Sequence, residues 1–293
     1  MKRILIVTIL MFSFVFLMAE GWDIQSDVSL TASQSAYSDN WAGTELSNIT
    51  WLANGNFLAQ KQLVKWLHNK NTVKASFGQT HVQETDSSGD KYWKAPTIST
   101  DKIEAETLYR FTLEGWVDPF TSARLQTRFL DESQKALDNT RMFNNLLFTE
   151  SAGVMKNFID GKNTLLSTRL GVAFREDIDR GKQNPVTDEK ENFITVDGGV
   201  EFIAEFNKNI KIPLNSTFKS KLNVYKAVIN SKSDELPNDY WKAPVASWEN
   251  TINTKLFGIV SANFLFEMRY NKQQVDEIQW QQMLGLGVNY NLF

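Results

Sequence analysis

From Ile278 to Leu292 apolar side chains return every second residue. Ile278, Trp280, Leu284, Leu286, Val288, Tyr290 and Leu292 share one parity, while Gln279, Gln281, Gly285, Gly287, Asn289 and Asn291 fill the other. Only Gln282 and Met283 break the pattern. A period of two is the signature of an extended strand whose two faces meet different surroundings, and it excludes a helix. The segment before it repeats the pattern, with Val260, Ala262, Phe264, Phe266, Met268 and Tyr270 set against Ser261, Asn263, Glu267 and Arg269. Upstream, Leu166, Leu170, Val172 and Phe174 oppose Arg169 and Arg175, and Ile194, Val196, Val200, Phe202 and Phe206 oppose Asp197, Glu201 and Glu205. Ile103, Ala105, Tyr109, Phe111 and Leu113 likewise oppose Glu104, Glu106, Arg110 and Glu114.

Extending this reading along the chain predicts about twelve strands, near 22–36, 44–59, 65–82, 101–117, 121–132, 146–159, 164–176, 193–207, 212–228, 247–256, 259–271 and 277–293. Several exceed the roughly 9–11 residues that a strand needs to cross lipid. The connections sort into short ones, at Asp118-Pro119-Phe120, Asp160-Gly161-Lys162 and Asn207-Lys208-Asn209, and longer polar ones at 83–100, 133–145, 177–192 and 229–246. Alternating short turns and long loops are expected of a barrel with periplasmic turns and extracellular loops.

A soluble β-sandwich also alternates apolar and polar residues. The N-terminus favours the membrane: Lys2 and Arg3 precede an almost unbroken apolar run from Ile4 to Met18, and Ala19 offers a small residue for cleavage. This predicts a cleaved signal peptide over 1–19 and an outer-membrane barrel over 20–293. The run is short for a spanning helix and is followed at once by Glu20 and Asp23. With a mean hydropathy of −0.33 the chain is too polar for a helical membrane protein, so a membrane fold must be a closed barrel. The expected fold is all-β: a transmembrane antiparallel up-and-down β-barrel of about twelve strands, with both termini periplasmic because the number is even.

Composition narrows the chemistry. A net charge of −3, from 31 basic and 34 acidic residues, gives no footprint for phosphate neutralisation, so nucleic acid is not an expected partner. The absence of cysteine excludes disulfides, thiolate metal sites and a cysteine nucleophile. Only His68 and His81 are present, in one predicted strand and of opposite parity, and neither lies in a nucleophile or metal motif. No catalytic residue, metal ligand or cofactor is assigned. The acidic string at 84–90 lacks the ordered ligand spacing of a calcium loop.

At this point several short strings resemble an uncharacterised family of outer-membrane β-barrels of Gram-negative bacteria, known as a domain of unknown function. They are DNWAG at 39–43, TDKIE at 100–104, TESAG at 149–153, RLGVAFR at 169–175, WENTI at 248–252 and LGLGVNY at 284–290, in order along nearly all of the mature chain. The resemblance implies the same barrel and supplies no activity. The C-terminal strand also looks like the signal by which outer-membrane proteins engage the barrel-assembly machinery, although Phe293 falls off the lipid-facing parity kept by Tyr290 and Leu292.

Two features are candidate sites. The first is a lumen charge network: Glu104, Glu106, Arg110, Glu114, Arg124, Arg128, Arg169, Arg175, Asp197, Glu201, Glu205, Lys219, Lys221, Glu267 and Arg269. Sign alternates between neighbouring strands, so these groups are expected to pair strand to strand and fill or constrict the lumen. One predominant sign would instead have marked a selective pore. The second is a repeated string, KYWKAPTIS at 91–99 and DYWKAPVAS at 239–247, which puts Tyr92, Trp93, Tyr240 and Trp241 in extracellular loops on opposite sides of the mouth. Aromatic rings followed by Lys suit anchoring at the lipid headgroups, with stacking on a flat ligand as the alternative. Outer-membrane lipid is thus one expected partner. These features predict a non-enzymatic barrel for passive passage or binding of a small polar or amphipathic solute, whose identity the sequence does not give. A closed structural barrel, holding envelope components through its loops, is the alternative.

Overall fold

The computed structural model describes residues 21–38, 46–211, 215–236 and 238–292. The expected signal segment 1–19, the string at 39–43 and Phe293 lie outside the described residues. The strands are β1 (Asp23–Ser35), β2 (Asn48–Val64), β3 (Leu67–Thr85), β4 (Lys91–Trp93), β5 (Thr97–Phe111), β6 (Asp118–Thr127), β7 (Leu130–Gln134), β8 (Asn139–Met142), β9 (Leu146–Gly161), β10 (Thr164–Gln183), β11 (Lys190–Ile210), β12 (Ser216–Asn230), β13 (Val245–Phe257), β14 (Val260–Asn271) and β15 (Val275–Asn291). Twelve of them form the wall, each antiparallel to both neighbours; β4, β7 and β8 belong to connections. Pairing of β1 with β15, from Asp27 opposite Asn291 to Ala32 opposite Leu286, closes the ring and leaves no free edge.

The period of two sets which side chains face where. Leu170, Val172 and Phe174 on β10 and Leu284, Leu286 and Val288 on β15 are exposed on the outside, while Arg169, Glu201 and Glu106 on the opposite parity are buried inside. Aromatic side chains gather toward both ends of the outer wall. At one end Trp66 stacks on Phe111, and Lys156 lies 4.5 Å from the centre of the Trp116 ring; at the other, Trp51, Phe77, Phe129 and Phe143 touch in series.

The outer ends of β1 at Asp23 and of β15 at Asn291, the end of β11, the start of β12 and the short turns at 65–66, 112–117, 162–163 and 258–259 share one end of the barrel. Three expected connections are displaced. Asp118-Pro119-Phe120 lies inside β6, and Asn207-Lys208-Asn209 inside β11; the turns fall before and after them. The expected loop 177–192 is mostly strand, because β10 and β11 stay paired as far as Gln183 opposite Lys190. Lipid-facing alternation stops where strands leave the membrane, but the hydrogen-bond ladder does not. The β7–β8 hairpin braces this extension: Arg141 pairs with Asp179 at 2.6 Å and with Asp131, and Asn144 donates to both carboxylates at 2.8 Å.

Candidate functional site: a partitioned lumen

Inside the ring, ion pairs join strands that are not neighbours. Lys70 on β3 meets Glu205 on β11 at 3.2 Å, Lys221 on β12 meets Glu104 on β5 at 2.7 Å, and Lys102 on β5 pairs with Glu249 on β13. These partners stand five, five and six places apart in a ring of twelve, so the pairs cross the lumen. Beside them Arg169 donates to both oxygens of Glu106, at 2.8 and 3.2 Å, and Arg124 bridges Glu106 and Glu201. The Arg175 guanidinium lies 3.4 Å from the Tyr225 ring centre, and the Tyr225 hydroxyl donates to Asp197.

Twelve strands about 4.8 Å apart and tilted by roughly 40° would close a circle about 24 Å across. An extended Lys and an extended Glu in contact span only about 14 Å between Cα atoms by ordinary bond lengths. The barrel is therefore flattened where the pairs cross. Glycines permit the tight bends this requires: a Cβ on Gly153 would lie 2.4 Å from the Gly171 backbone, and one on Gly285 2.6 Å from the Ala32 carbonyl.

The charges partition the lumen. The remaining sector, lined by β1, β2, β14 and β15 with the adjoining part of β3, is mostly amide and hydroxyl: Asn54 donates to Ser29, Ser76 to Asn54, and Asn263 to Thr31 at 2.8 Å, while its charges include Asp27, which accepts from Asn56 at 2.9 Å, and the Glu267–Arg269 pair. At the short-turn end the lumen widens beside β11–β15 into a vestibule of about 530 Å³ whose lining includes Asn209, Thr217, Asn253, Ser261, Asn289 and Asn291 together with Lys211 and Lys255. Amide groups offer donors and acceptors together, so this surface can bond neutral polar groups without an ion.

The opposite mouth is narrowed by the connection between β12 and β13. Its 3-10 turn, Tyr240–Lys242, carries Trp241 inward against Ala173, Tyr225 and Ala227, with Leu236 beside it. The expected place of Trp241 at the headgroup level is corrected: three small or aromatic inward side chains form a seat for the indole inside the mouth. Tyr240 stays exposed under Lys272, and Tyr92 and Trp93 stay exposed on β4.

Other expected positions also change. Glu114 is exposed in the turn 112–117 at a φ of 58°, and Arg128 is exposed just past β6; neither lines the lumen, because their strands end earlier than the alternation implied. Lys219 has the inward parity but is exposed and forms no ion pair with a described residue. Arg269 pairs with the buried Glu267 at 2.6 Å, and Arg110 with Asp118 at 2.5 Å. Strand-to-strand pairing is largely replaced by pairing across the lumen. Glu205 and Lys221 are register partners, yet Lys221 reaches Glu104 and Glu205 takes Lys70. Inward side chains of a flattened ring converge, so their heads meet opposite rather than adjacent groups. Lys70, Lys102, Glu249 and Asp118 were not foreseen; their inward parity was the available signal. No cluster of three metal-ligating side chains occurs among the described residues.

A closed ring with an apolar exterior and a charged interior is an outer-membrane-type transmembrane β-barrel. No sequence-family profile matches the chain and no curated protein matches it, so the resemblance to the uncharacterised family rests on its short strings. Among solved structures, an outer-membrane channel from Pseudomonas putida F1 is 10% identical, covers 94% of this chain and 97% of its own, and gives a TM-score of 0.39. The translocator domain of the autotransporter NalP from Neisseria meningitidis is also 10% identical, covers 99% and 95%, and scores 0.37. What those proteins carry does not transfer to this chain.

Proposed function

We propose that this chain is a non-enzymatic outer-membrane barrel that binds or passes a small, neutral polar solute along the amide- and hydroxyl-rich sector of its lumen. The observation that carries this reading is the vestibule of about 530 Å³, lined mostly by amide and hydroxyl side chains with Lys211 and Lys255 among them, beside a partition of paired charges. That volume falls within the roughly 300–1,000 Å³ of small-molecule sites. In this reading the short-turn end faces the periplasm, and the paired charges provide a fixed wall rather than an ion path, since each sign is neutralised by its partner. Vesicles containing the purified barrel should take up a small uncharged polyol faster than a carboxylate of equal size. Asn253→Leu combined with Asn289→Leu should cut that uptake at least several-fold while leaving the barrel folded. Large, charge-selective conductance in a planar bilayer would sink the proposal. A barrel that is folded but silent to both solutes would favour the closed structural reading, which the cross-lumen pairs and the inward Trp241 also support.

A further inference from the structure

The outer wall from β13 through β14 and β15 to β1 carries no charge. The lipid-facing residues of β13 from Ala246 to Leu256, β14 from Val260 to Tyr270, β15 from Ile278 to Tyr290 and β1 from Ile24 to Ala32 include no ionisable acid or base apart from the tyrosines. The wall of β9–β12 differs. Glu150 points outward between Phe148 and Ala152, with Ala123 and Phe174 as its register partners. Lys226 points outward between Val224 and Val228, opposite Val200. Both are exposed, and neither has a hydrogen bond or ion pair with a described residue. Glu176, diagonal to Glu150, adds a second outward carboxylate. A charge flanked by apolar neighbours on a lipid-facing wall is costly, and such a group ordinarily has a partner.

The same face is dented. A depression of about 720 Å³ has Thr121, Ala123, Glu150, Ala152, Gly198 and Val228 in its lining. Small residues let another wall approach closely where lipid would otherwise pack. Glu150 on β9 and Lys226 on β12 stand three places apart, or roughly 14 Å along the wall at 4.8 Å per strand.

We propose that this face binds a second copy of the chain, wall to wall about a two-fold axis between β10 and β11, with Glu150 of each copy paired to Lys226 of the other. The patch is self-complementary, since one acid and one base lie on opposite sides of the axis, and an isologous contact satisfies both at once and closes at two copies. A lipid headgroup would remain at the rim, whereas these groups lie among apolar neighbours on the wall.

The test uses the full chain in mild detergent and in bilayers. Native mass spectrometry and light scattering should find a dimer. Glu150→Lys, and separately Lys226→Glu, should weaken it at least tenfold, and the two together should restore it. Glu150→Gln should weaken it less and leave insertion intact, which guards against a variant that fails to fold. Because the chain lacks cysteine, Val200→Cys introduces a single thiol near the axis and should cross-link two copies in the membrane. A monomer at all concentrations, or a dimer indifferent to both single reversals, overturns the proposal. So does a monomer that retains a phospholipid which Glu150→Gln releases.

Discussion

The two YWKAP strings have the same five residues and opposite fates. In the first, Asp86 accepts the amides of Ser88 and Asp90 at 2.8 and 2.9 Å, and Gly89 adopts a φ of 90°, so a tight turn folds Lys91–Trp93 back onto β3 as β4. Trp93 pairs with Gln83 and is 46% exposed. In the second, turns at 231–235 precede the string without returning it to a strand edge; Asn238 accepts the Tyr240 amide at 3.1 Å, Tyr240–Lys242 forms a 3-10 turn, and Trp241 lies inside the mouth with 6% exposure. What precedes a motif can decide its role: an adjacent strand edge makes it a ribbon, and an open lumen makes it a stopper.

Substituting the two indoles should separate the copies most widely. Trp241→Ala should cost about 3–5 kcal/mol, as for a buried Trp, and should expose the inside of the mouth. Thermal melting would measure the first effect, and labelling of an Ala173→Cys thiol by an impermeant maleimide the second. Trp93→Ala should leave both nearly unchanged; equal losses would show that the copies share one role. A smaller effect is expected beneath Trp241, where Tyr225→Phe removes the hydroxyl that donates to the Asp197 carboxylate. The loss should be about 1.5–3 kcal/mol in a melting experiment, with faster labelling at residue 173 if that bond holds the seat. The smallest effect belongs to the first copy. Tyr92 and Lys94 donate to Glu84 at 2.8 and 2.7 Å, bonds that hold its carboxyl below the usual range. The group is solvent-exposed, so Glu84→Gln should change the melting temperature little at low salt and not at all at high salt.

The wall was legible because its physics is local. Outward Leu170, Val172, Phe174, Leu284 and Leu286 and inward Arg169, Glu201 and Glu205 follow from parity alone. Three things were not. Strand ends outside the membrane, such as Gln183 and Lys190, obey no lipid-facing alternation. The partner of an inward charge depends on how flat the ring is, which no single strand encodes, so Lys221 with Glu104 was hidden while Lys221 beside Glu205 was plain. The inward turn of Trp241 depends on a seat assembled from Ala173, Tyr225 and Ala227 on two different strands.

The ties across the lumen also bear on the order of assembly. Most wall strands pair with a neighbour close in sequence, but Lys70 and Glu205 are 135 residues apart and Lys102 and Glu249 are 147 apart. Such contacts must wait until the wall has curled far enough to bring strands five or six places apart face to face, because loop closure comes before they can form. Interactions absent from the transition state leave the folding rate alone and slow unfolding. The buried pairs would then act as a latch, set after insertion is complete, that lengthens the lifetime of the finished barrel without hastening its construction.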